Sequence, residues 1–223
     1  VMPHVLDLAS IGVLAITGRE GAGCHNWMRY MIDMLDTMYP EQMKLYISDS
    51  IGKRLAALKD KKYTCGYSIL TDDALRFVKE IEEQLKERYD ALAAGDDEVL
   101  AKSPLLMLVI DSYDAAVAVC NDREAMEAYK NITGRYKNLN VCIIISAVEN
   151  VPIPYSAPEI FKNIRDQHHM MYFDDISNMK IYDMHLAVAR KFKKPIETGD
   201  GYYIKDNECM KLKTPLAAPD QGA

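Results

Sequence analysis

The stretch IGVLAITGREGAGCHNWMRYMIDML, Ile11–Leu35, decides how the rest of the chain is read. Ile11 to Ile16 is apolar apart from Gly12, which predicts a buried strand. Gly18, Gly21 and Gly23 then predict a turn. Trp27, Met28, Met31, Ile32 and Leu35 recur at three- and four-residue steps, the spacing of an amphipathic helix. Strand, glycine turn and helix together form a phosphate loop, in which backbone N–H groups and the positive end of the helix hold an anion. The P-loop pattern is G-x-x-x-x-G-K-[ST]. Gly18 and Gly23 fit it, but Cys24 stands at the lysine position and His25 at the hydroxyl position. The frame of a nucleotide site is legible here without its chemistry.

Bulk properties narrow the reading. The 223 residues suffice for one large α/β domain with a sizeable core. A net charge of −6 argues against a nucleic-acid binder, which carries a basic face. Five scattered cysteines (24, 65, 120, 142 and 209) form no C-x-x-C pair, and Cys120 and Cys142 sit in apolar runs as reduced core thiols do. No apolar run reaches the roughly 18 residues of a membrane span, and no signal peptide is visible. A chain beginning at Val reads as a piece of something longer.

Working outward, Pro3–Leu8 reads as a short lead-in strand and Met43–Asp49 as a second strand. Residues 51–68 read as loop with a short helix. A long helix begins at Thr71, with Thr71 as its capping hydroxyl and Asp72 and Asp73 in the first turn, and stops at Gly95. Its apolar face is Ala74, Leu75, Val78, Ile81, Leu85, Tyr89 and Leu92. Leu105–Ile110 is continuously apolar, as a strand buried on both faces of a parallel sheet is, and Asp111 ends it. A helix over 123–136, a strand over 140–146, a short helix over 158–165 and a strand over His169–Phe173 follow. The sequence then suggests a helix around 176–190, a hairpin at Gly199–Gly201, and a disordered Pro/Ala/Gly-rich tail over 214–223. Strands alternating with helices predict a mostly parallel α/β sheet in one domain over 1–213. His168 and His169 read as structural, since no third metal ligand stands at a useful spacing.

In this order, PHVLDLASIGVLAITGREGAGC, MKLYISDS, LKERYDALAAG, PLLMLVIDSYD, ITGRYKNLNVCIIISA and ETGDGYYI resemble the FtsK/SpoIIIE-type P-loop ATPases over about residues 5–211. Within that group the chain looks most like the degenerate C-terminal module of the type VII secretion coupling ATPases, the EssC/EccC family. The resemblance implies a RecA-like P-loop NTPase fold. It also implies a relict nucleotide loop at Gly18, Arg19, Glu20, Gly21, Ala22, Gly23, Cys24 and His25. Asp111 matches the Walker B aspartate, Ser112 stands where the family has a catalytic Glu, and Ala147 and Val148 replace its polar sensor pair.

Without the loop lysine, phosphate charge is not neutralised, and without the hydroxyl Mg²⁺ loses a ligand that imidazole replaces poorly. The four losses together predict a module that does not hydrolyse ATP, needs no cofactor, and binds ATP and Mg²⁺ weakly or not at all. As implied by the resemblance, its partners are neighbouring ATPase domains of the same polypeptide, secreted type VII substrates and a hexamer of the parent protein, with no nucleic acid. Its place is the cytoplasmic side of a membrane, within an anchored parent. Two alternatives stay open: an active ATP-hydrolysing motor domain for secretion or DNA, and a thiol enzyme using Cys24 beside His25 at a helix N-terminus.

Overall fold

The computed structural model describes residues 6–192, 195–206 and 208–217. A short turn of helix α1 (Leu8–Ile11) leads into β1 (Gly12–Gly18) and α2 (Cys24–Met38). Strands β2 (Met43–Ser48) and β3 (Thr64–Ser68) precede the long helix α3 (Thr71–Ala93) and the one-turn α4 (Val99–Lys102). Next come β4 (Leu105–Ile110), α5 (Tyr113–Asn121), α6 (Arg123–Thr133) and β5 (Val141–Ile145). The chain continues through α7 (Glu159–Gln167), β6 (His169–Phe173), α8 (Leu186–Lys191), β7 (Asp200–Lys205) and β8 (Glu208–Lys213). All eight strands form one sheet in the order β3-β2-β4-β5-β1-β6-β7-β8. The first six in that order are parallel, and β7 and β8 are antiparallel.

The parallel strands need cover on both faces, and they have it. On one face α3, α5, α6 and α7 pack against Val13, Leu106, Leu108, Ile110, Ile143 and Ile145. On the other, α2 sets Trp27, Met28 and Ile32 against Leu14, Ile16, Leu45, Val109 and Ile144. The apolar runs at Ile11–Ile16, Leu105–Ile110 and 140–146 become the central strands β1, β4 and β5, with Ile11 itself closing α1.

Several local expectations fail for identifiable reasons. Leu8, read as the end of a lead-in strand, opens α1; Pro3–Val5 lie outside the described residues. Residues 64–68 form the edge strand β3, whose half-buried TCGYS hides the period-2 pattern. Thr71 does not cap α3, because it is already the first helical residue; Leu70 is the N-cap and makes no side-chain cap bond. The long helix around 176–190 is a 3₁₀ turn at Ile176–Asn178 and the six-residue α8, separated by irregular chain. The turn of the hairpin falls after Lys205, where Asp206 adopts φ 52, rather than at Gly199–Gly201, which lead into β7. His168 packs its ring 4.7 Å from that of Tyr182, and the His169 ring nitrogen lies 3.3 Å from the Ile11 carbonyl.

Candidate functional site

Parallel α/β sheets collect ligands at the carboxyl ends of their strands. Here the ends of β1, β4 and β5 converge on a cleft of about 530 Å³. Gly18, Arg19, Glu20, Gly21, Gly23, Cys24 and His25 line it, with Asn26, Arg54, Ser146 and Val148. Gly18 is required by close packing, since a Cβ there would come within 2.5 Å of the Phe173 carbonyl oxygen on β6. The loop is closed by Arg19 N–H donating to Phe173 O at 3.0 Å and Ala22 N–H to Arg19 O at 3.1 Å. Ala22 itself is buried. Gly23, at φ 111, takes the left-handed turn that starts α2 and brings no capping side chain. The first-turn amides of α2 therefore lie ahead of its first internal bond, Trp27 N–H to Gly23 O, at the positive end of the helix.

Asp111 stands behind this loop with its side chain 2% exposed. Its Oδ1 accepts from Ser146 Oγ at 2.6 Å and from His25 Nε2 at 2.9 Å; its Oδ2 accepts from Ser50 Oγ at 3.1 Å. Burial alone would raise the Asp111 pKa. The bonds from His25, Ser146 and Ser50 outweigh it and hold the carboxyl below its usual value. Asp111 is thus a satisfied anion facing three side chains. Of these groups the His25 nitrogen is the one that suits Mg²⁺ poorly, since that ion takes oxygen ligands in octahedral geometry. Among the described residues, no group of three or more His, Cys, Asp or Glu is placed to hold a metal ion.

The remaining positions carry other duties. Burial pushes the Cys24 thiol up to about 12, the opposite of what a nucleophilic thiolate needs. Ser112 caps α5, its hydroxyl accepting from Ala115 N–H at 3.3 Å. Ser112→Ala is therefore expected to lower stability by about 1 kcal/mol, read from the urea midpoint. Ala147 lines a neighbouring apolar groove of about 370 Å³ with Tyr113, Val151 and Phe161, and not the cleft. Val148 borders both cavities, and its carbonyl accepts from the Thr17 hydroxyl.

Asn26, Arg54 and Ser146, which line the cleft, and Ser50, bonded to Asp111 behind it, escape the sequence reading. Ser50 and Ser146 each follow the last residue of an apolar strand by one or two positions, where ligand groups of α/β sheets belong. Arg54 has no such signal. It reaches the cleft because buried Asp49 ties down its loop, accepting from Leu55 N–H at 3.0 Å, Ser50 N–H at 2.8 Å and the Tyr67 hydroxyl at 2.7 Å.

Comparison of this structure with solved ones returns ATPase domains. The chain superposes on ATPases 2 and 3 of EssC from Geobacillus thermodenitrificans with a TM-score of 0.69 at 13% identity, over 95% of this chain and 38% of that one. It superposes on ATPases 2 and 3 of EccC from Thermomonospora curvata, in complex with a signal sequence peptide, with a TM-score of 0.68 at 16% identity, over 98% and 39%. For the pCW3 conjugation coupling protein TcpA with ATPγS the values are 0.68 and 14%, over 96% and 62%. The fold is that of the RecA-like P-loop ATPase domains. The chain spans about two-fifths of the EssC and EccC structures just named. No protein-family model matches the sequence, and no curated protein does. Among the described residues, no helix is long and apolar enough to cross a membrane.

Proposed function

We propose that the chain is an ATPase-derived module of a membrane-anchored type VII secretion motor that does not hydrolyse ATP and serves in substrate recruitment, assembly or regulation. One observation carries this reading: the Asp111 carboxylate, which a working site needs for Mg²⁺, is occupied by His25, Ser146 and Ser50. Cys24 supplies no phosphate charge, and Ser112 is committed to the cap of α5. What the cleft retains is a helix terminus, worth on the order of 0.3–1 kcal/mol per charge contact, and Arg54 on its wall. ATP binding is weak, and its role is not chemical. The likeness to EssC and EccC supports placement beside other ATPase domains of one polypeptide, at the cytoplasmic face of a membrane, in a hexameric parent. The EccC neighbour carrying a signal sequence peptide supports recruitment of secreted proteins as the retained task. No nucleic-acid partner is expected for a chain with a net charge of −6.

The test pairs turnover with export. The isolated domain should release no phosphate from Mg-ATP above background. In the parent motor, deleting the domain should stop export of its substrate, while Asp111→Ala should leave export intact. Hydrolysis that Asp111→Ala abolishes would restore the second reading, an active ATPase, which the open 530 Å³ cleft favours.

A further inference from the structure

The strand β8 ends at Lys213, and the described residues that follow, 214–217, stay against the domain. Thr214 is buried, its amide donating to Gly199 O at 2.7 Å and its hydroxyl to the same carbonyl at 2.8 Å. Three residues on, the segment meets the first turn of α2. Asn26 Nδ2 donates to Pro215 O at 2.9 Å, and Ala217 N–H donates to Asn26 Oδ1 at 2.8 Å. One carboxamide thus grips a backbone carbonyl and the amide two residues later, across 189 and 191 positions of sequence. Leu216, between the two grips, is 84% exposed. The attachment consists of backbone hydrogen bonds at the surface, with no apolar anchor at Leu216. Such an attachment is reversible, because each bond contributes a small net free energy in contact with water.

Asn26 also lines the cleft, next to Cys24 and His25. We propose that Thr214–Ala217 is a strap that closes the Asn26 side of the nucleotide cleft and is released when a phosphate-bearing ligand enters. The proposal rests on the reading of the cleft as an ATPase-derived pocket. A ligand whose phosphates sit at the first turn of α2 draws on the same side chain that holds the strap, so the two compete. The strap makes access to the cleft depend on what pulls on the chain beyond β8.

The test uses the full chain and two variants, with Ala217→Pro removing the N–H that grips Asn26 from outside the cleft and Asn26→Ala removing both grips. In the wild-type protein the Ala217 amide should exchange with deuterium more slowly than an open amide, and Asn26→Ala should abolish that protection. Cys24 should be alkylated by iodoacetamide about two- to tenfold faster in both variants, the factor that one net hydrogen bond supplies. Peptide-resolved mass spectrometry separates Cys24 from the other four thiols. ATP, with and without Mg²⁺, should bind Ala217→Pro tighter by a similar factor, with a smaller gain in Asn26→Ala because the ligand loses that side chain too, and should speed Ala217 exchange in the wild type. An unprotected Ala217 amide, or Cys24 alkylation equal to wild type in both variants, overturns the strap. Faster alkylation with no ATP binding in any form overturns release by a phosphate-bearing ligand, and with it the proposal, while leaving the ATPase-derived reading of the cleft untouched.

Discussion

Arg88→Ala should cost the domain about 3–5 kcal/mol, visible as a large fall in the urea midpoint and loss of the sharp unfolding transition. Arg88 sits in the long helix α3 and is only 6% exposed, yet it faces no carboxylate in any described contact. Its guanidinium instead closes three backbone carbonyls: Leu139 O at 2.7 Å and Asn140 O at 3.2 Å through one nitrogen, Pro104 O at 2.8 Å through the other. Those carbonyls belong to the residues that feed β4 and β5, the two central strands that deliver Asp111 and Ser146. A buried charge without a counter-ion is expensive, and burial holds this guanidinium down to about 10. The carbonyl dipoles compensate it, because each hydrogen bond to a charged group contributes about 1.5–3 kcal/mol. Removing the side chain takes the donor from Leu139 O and Pro104 O in a tight corner, while Asn140 O keeps only Leu106 N–H at 2.9 Å. Against a typical total stability of about 5–15 kcal/mol, the loss takes about a fifth or more. Arg88→Lys should recover only part, since a single ammonium cannot span the fork that the planar guanidinium makes. A midpoint within error of wild type for Arg88→Ala would show that the three carbonyls are held by the sheet alone.

The same residue marks how far the sequence could be read. The central strands were legible because a parallel sheet buried on both faces needs unbroken apolar runs, and IGVLAI, LLMLVI and VCIII are such runs. The face of α3 was legible by spacing, but its reading passed over Phe77 and Arg88, which are both buried. Phe77 fills the space beside Gly66, where a Cβ would come within 2.5 Å of its ring, so its burial depends on a partner 11 positions away. Arg88 reads as a surface charge until the carbonyls it serves are in place. The glycine loop, Cys24, His25 and Asp111 were legible because they lie in one motif and at one strand end. That His25 and Asp111 would bond each other was not, since 86 residues separate them and only the fold sets the distance. The break between 178 and 186 escaped because Met, Ile and Tyr in that segment mimic a helical stripe, whereas the chain there is irregular.

Restoring the loop by Cys24→Lys with His25→Ser should raise ATP affinity by about two orders of magnitude in the presence of Mg²⁺. The estimate follows from two added charge-assisted contacts, each contributing about 1.5–3 kcal/mol, less the cost of ordering a lysine. His25→Ser acts in two ways. It removes the imidazole from Asp111 Oδ1, which then keeps Ser146 at 2.6 Å and gains room for a hydrated cation, and it supplies the hydroxyl that the P-loop pattern requires. Cys24→Lys places an ammonium at the first residue of α2, where the helix end and Arg54 already favour an anion. The single Cys24→Lys should gain less than the pair, because Mg²⁺ remains excluded, and its gain should not depend on magnesium. Turnover should stay at background even in the double variant, since Ser112 still stands where water must be polarised. Ser112→Glu supplies the missing carboxylate only by removing the cap of α5, so hydrolysis is regained at the expense of the helix that follows Asp111. Isothermal titration of ATP with and without Mg²⁺ reads all three variants. If the double variant keeps its fold by circular dichroism and binds ATP no tighter than wild type, the loop is not a relict P-loop or its pocket is blocked, and repeating the titration in Ala217→Pro separates the two.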